Sequence, residues 1–204
     1  IFIAWEVLYF TGNGTITLTG DNQKDNVQVG EPVVTSDAQH LVVTNGSILS
    51  CYEGFIGDRN TGSTSLVTVS GTGSIWNVQF DFAVGGNTDG ELDITDGGHL
   101  VCSGSGFSEI GAGKNVNATV KVSGTGSTWT IGSANFFGGM DVAYSEDGVP
   151  VMGTLQITDG AFVDCFGETM IGVNSGATGA IIVSGSGSRF DANSILVEGG
   201  AENG

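Results

Sequence analysis

Twenty-two Asp and Glu residues against five Lys and Arg dominate the chemistry open to this 204-residue chain. Calcium takes hard oxygen ligands gathered in a short loop. Asp141, Glu146 and Asp147 fall within one such stretch and are the candidate calcium ligands. Paired carboxylates could also do acid–base work on a polysaccharide, and Asp96 and Asp159 are the tempting pair. They stand, however, in a slot that Asn45 fills in a sister copy, which marks a turn former. His40 and His99 form no HExxH, no Gly-x-Ser-x-Gly elbow occurs, and no Gly-x-Gly completes a phosphate-binding loop. A lyase would gather a cation beside its carboxylates, whereas Lys24, Lys114, Lys121, Arg59 and Arg189 are scattered. The expectation is a protein that is not an enzyme. The competing class is a secreted polysaccharide-binding or polysaccharide-degrading protein.

The elements that must carry these residues are written in repeats. One phrase reads TNGSILSC (44–51), TDGGHLVC (95–102) and TDGAFVDC (158–165). It alternates with VTVSGTGSIW (67–76), VKVSGTGSTW (120–129) and IIVSGSGSRF (181–190). Each copy runs on to an apolar anchor, usually followed by Gly: Val29, Ile56, Val84, Ile110, Phe137, Ile171 and Val197. The anchors are 26–28 residues apart, except for 34 before Ile171, where 141–150 reads as an inserted loop. Within a unit, apolar residues two apart (Leu92 and Ile94, Leu155 and Ile157) read as inward positions of short strands. The Thr-Asp-Gly and Ser-Gly-Thr-Gly that follow supply corners. Nothing reads as a helix. The fold expected is all-β: a parallel β-helix of about seven coils of 26–28 residues, spanning 11–204 as one domain.

In that frame Cys51, Cys102 and Cys165 share one inward slot every second coil, about 9–10 Å apart at the stacking distance of strands. That is beyond disulfide reach, so free, buried thiols are expected. Trp76, Trp129 and Phe190 share another slot. It could be a ladder for stacking sugar rings, but a repeated slot favours packing. As aromatics, Phe107, Phe136 and Phe137 carry no usable repeat information.

These phrases resemble the repeats of bacterial autotransporter passenger domains and related large β-helical surface adhesins. The copies at 94–98, 110–111, 119–129 and 154–160 carry the likeness. The resemblance implies right-handed coils and an exported, elongated protein of the cell surface or extracellular space, adhesive or structural in role. Host or matrix glycans are the partners it suggests.

A charge of −17 repels phosphates, so no nucleic-acid partner is expected. Hydrophobic content of 39% with mean hydropathy +0.17 is that of a folding chain. The first ten residues, IFIAWEVLYF, form a separate apolar segment, read as a cap on the fold or as an inter-subunit strand, and shorter than the roughly 20 residues a helical membrane span needs. An Ile start points to processing or to a piece of something longer. The open ends of a solenoid template further strands. Ile1, Phe2, Ile3, Trp5, Val7, Leu8 and Phe10 are therefore the candidate self-association residues, for head-to-tail or lateral stacking.

Overall fold

The computed structural model describes backbone at residues 7–9, 14–18, 21–23 and 26–29, and then residues 39–57 and 64–198, with side chains from residue 40 onward. It is all parallel strand. The first strand, β1 (Val7–Tyr9), precedes a coil of β2 (Gly14–Leu18), β3 (Asp21–Gln23) and β4 (Asn26–Val29). The next coil is β5 (Gln39–Val43), β6 (Ile48–Cys51) and β7 (Glu53–Ile56), followed by β8 (Ser65–Ser70), β9 (Ile75–Val78) and β10 (Phe82–Val84). The central coils are β11 (Gly90–Thr95), β12 (His99–Cys102) and β13 (Ser108–Ile110), then β14 (Val116–Ser123), β15 (Thr128–Ile131) and β16 (Met140–Tyr144). The last two are β17 (Val151–Thr158) with the long β18 (Phe162–Val173), and β19 (Ala177–Val183) with β20 (Arg189–Val197).

Each strand pairs in parallel with its equivalent one coil away, which gives a three-faced solenoid. The first face is a seven-stranded sheet, β2-β5-β8-β11-β14-β17-β19. Leu41 pairs with Val67, Val67 with Leu92, Leu92 with Val120, Val120 with Leu155 and Leu155 with Ile181, in steps of 26, 25, 28, 35 and 26 residues. The other two faces join into one thirteen-stranded sheet because β18 bends from one to the other, with its register shift between Cys165 and Glu168. The second face stacks β3, β6, β9, β12, β15 and the first parts of β18 and β20. The third stacks β1, β4, β7, β10, β13, β16 and their second parts.

The core is packed by alternation between coils. In one second-face slot Leu49, Trp76, Leu100, Trp129, Val163 and Phe190 succeed one another in register. In the matching third-face slot the order is Gly54, Phe82, Ser108, Met140 and Thr169. Coils with two bulky residues thus alternate with coils that leave room. A Cβ on Gly54 would lie 2.9 Å from Trp76 Cζ2 and 3.2 Å from Phe82 Cδ2. Phe82 packs edge-on against Trp76 at 5.4 Å and against Trp129, two coils on, at 5.8 Å.

The corners follow the sequence. Asn45, Asp96 and Asp159 have φ of 57°, 54° and 56°, left-handed values that Asn and Asp tolerate. The serine of each Gly-x-Gly-Ser corner ties coils together: Ser74, Ser127 and Ser188 Oγ accept from the Gly46, Gly97 and Gly160 amides, each at 3.0 Å.

Phe137 is not an anchor. It is 66% exposed. The residue in register with Ile110 and Ile171 is Val142. The apolar-Gly signature misleads here because the position after Val142 is Ala143, at φ 65°, where sister coils have Gly57, Gly85, Gly111 and Gly172. Residues 140–144 are therefore strand β16 rather than the start of an inserted loop. The extra length is split between a protrusion at 133–138 and the loop that follows Tyr144.

Candidate functional site

The repeated aromatic slot is interior. Trp76 and Trp129 are fully buried, and a buried indole N–H needs an acceptor. Each finds a cysteine sulfur in the preceding coil: Trp76 Nε1 donates to Cys51 Sγ at 3.2 Å, and Trp129 Nε1 to Cys102 Sγ at 3.5 Å. All three cysteines are buried thiols. Burial pushes the Cys102 thiol up to about 11, against the opposing hydrogen bonds of Trp129 and Ser108. The Cys–Trp pairing was not visible in sequence, because its partners belong to different phrases. The histidines are half-exposed surface groups: His40 Nε2 and His99 Nδ1 share hydrogen bonds with the Thr68 and Thr128 hydroxyls of the next coil at 2.8 and 2.7 Å.

The candidate calcium ligands are placed apart. Asp141 sits on β16, in register with Glu109 and Met170. Glu146 and Asp147 lie in the loop after it, where Asp147 forms an ion pair with Lys114. Among the described residues, no group of three or more His, Cys, Asp or Glu is arranged to hold a metal ion. Of the candidate self-association residues, Ile1, Phe2, Ile3, Trp5 and Phe10 lie outside the described residues. Val7 and Leu8 belong to β1, whose backbone pairs with β4.

The third face instead carries a run of carboxylates from successive coils. Burial, then the charges of Asp141 and Asp81, pushes Glu109 up to about 7. Burial, then Glu168 and Glu198, pushes Asp141 up to about 6. Asp141 Oδ1 is buried without a hydrogen-bond partner among the described residues.

Beside this run, at the corner between the second and third faces, lie the exposed aromatics. Tyr52 and Phe80 stack with ring centroids 5.5 Å apart and an interplanar angle of 9°. Phe107 and Phe136 are also exposed, as is Phe137. The protrusion bearing Phe136 and Phe137 is a tight turn: Ser133 and Phe136 exchange backbone hydrogen bonds, and Ser133 Oγ accepts from the Phe136 amide. Next to it an open groove of about 390 Å³ is lined by Ala134, Phe137, Asp164, Phe166, Asp191 and Asn193, among others. Tyr52 and Phe166 follow Cys51 and Cys165 at the same place in their copies, whereas Phe136 and Phe137 sit in a protrusion that periodicity could not single out. Only their place at a corner reveals them.

Over 138 residues, 67% of its length, the chain is 32% identical to the adhesin BmaC autotransporter of Brucella suis biovar 1 (strain 1330). The similar protein is an autotransporter adhesin. The chain spans 4% of that relative's length. No family model matches the chain, and no solved structure matches it. Among the described residues no helix is long and apolar enough to cross a membrane.

Proposed function

We propose that the chain is a segment of an extracellular, surface-displayed β-solenoid with an adhesive or structural role, and that it catalyses no reaction. The observation that carries this reading is the 138-residue similarity to an autotransporter adhesin in a chain that folds as a stack of coils. The polar corners and acidic outer faces suit display in water. Antibodies raised against the chain should label intact cells of its source, and protease added outside those cells should abolish the labelling. Labelling that appears only after lysis would overturn the proposal.

A second reading is head-to-tail stacking of copies, on the general ground that the unpaired edges of a solenoid template further strands. Electron microscopy across a dilution series, with and without residues 1–10, tests it. Unbranched filaments that vanish with the decapeptide would support self-assembly, and short rods in both forms would exclude it.

A further inference from the structure

The Phe136–Phe137 protrusion is an apolar feature that stacking does not require. What a coil needs for packing recurs every second coil, whereas Phe136 and Phe137 project from a protrusion without a counterpart. The groove beside them combines rings with two in-register carboxylates, Asp164 and Asp191. The same combination is occupied one step away. There the Arg189 guanidinium lies 4.3 Å from the centroid of the Phe162 ring, and its Nη2 is 2.6 Å from Asp191 Oδ2. We propose that the groove between Phe137, Phe166, Asp164 and Asp191 receives the guanidinium or ammonium group of a basic peptide segment on a partner protein.

Three observations favour a cation. The described lysines and arginine are already committed within the chain: Lys114 to Asp147, Lys121 to Glu91 and Arg189 to Asp191. Asp164 makes no ion pair among the described residues. Burial first, and then the charge of Asp191, raises its carboxyl above the ordinary range against the opposing charge of Arg189, so that one cation is shared between two carboxylates. Finally, a net charge of −17 steers basic segments toward the rod and anionic ones away. A neutral sugar would use the ring faces but leave Asp164 without an ion pair. A cation uses both, through cation–π attraction and ion pairing.

This inference gives a partner chemistry to the adhesive reading and rests on it. Its test concerns one groove, so it can fail while surface labelling stands. Fluorescence anisotropy with a short fluorescein-labelled peptide of alternating Arg and Gly measures binding to the full chain. Phe137→Ala and Asp164→Asn should each weaken binding by about fivefold, and Phe137→Leu, which keeps bulk but loses the ring, by a similar factor. Glu146→Gln, which removes an exposed carboxylate elsewhere, should change it less than about twofold. Equal losses for Asp164→Asn and Glu146→Gln would show diffuse attraction alone and overturn the proposal. So would a neutral cello-oligosaccharide that binds with sensitivity to the same groove variants while the peptide does not. Circular dichroism of each variant confirms the fold.

Discussion

Each buried cysteine below a tryptophan supplies the acceptor that its indole would otherwise lack. If the bond between Trp129 Nε1 and Cys102 Sγ contributes, a double-mutant cycle of Cys102→Ala and Trp129→Phe in urea should give a coupling of about 1 kcal/mol. Additivity would mean that sulfur acts only as bulk. A second residue-scale consequence concerns pH. In the unfolded chain these carboxyls titrate near 4, whereas in the fold Asp141 titrates near 6 and Glu109 near 7. Between those limits the folded chain holds more protons than the unfolded one. Stability is therefore highest on the acid side and declines as pH rises through the folded values. Asp141→Asn should raise stability near pH 8 by about 1–2 kcal/mol, after discounting for solvent screening, and change little near pH 4.5. Chemical denaturation at both pH values measures the difference. The slot of the cysteines was legible in sequence, since two-residue alternation points both Leu100 and Cys102 inward. Their role as acceptors was not, because it depends on register between different phrases.

At the scale of strands and corners, the sequence exposed whatever repeats and concealed whatever does not. Thr-Asp-Gly and Gly-x-Gly-Ser announced their corners because each needs a left-handed backbone. Strand β16 was missed because Ala143 stands where sister coils have Gly. The φ of Gly111 is 78°, and an added Cβ would approach Met152 O to 2.8 Å. Gly111→Ala should thus cost about 2 kcal/mol. At Ala143 (φ 65°) the reverse change, Ala143→Gly, should hold or raise stability, since it releases about 1 kcal/mol of left-handed strain. Thermal unfolding of the two variants decides. The protrusion at 133–138 should behave differently again. Replacing both Phe136 and Phe137 by Ser should leave the melting temperature within about 2 °C, because both rings stand outside the core.

Across the whole molecule the contacts run from coil to coil, so stability is nearly a sum over neighbours. In the chain of 204 residues, hydrogen exchange should be slowest in the central coils, around β11 and β14, and faster in β19 and β20, which among the described residues have coil neighbours on one side only. Uniform protection would mean that the rod unfolds as one unit. The alternation of bulky and small coils has a consequence for how such a chain can change in length over generations. Excising one coil, 92–119, would set Trp76 directly against Trp129 and remove the sulfur beneath the second indole. Excising two, 67–119, would set Trp129 on Leu49 and Cys51, as Trp76 is set now. Unequal recombination should thus tolerate gains and losses only in even numbers of coils. The heritable quantum of this rod is the pair.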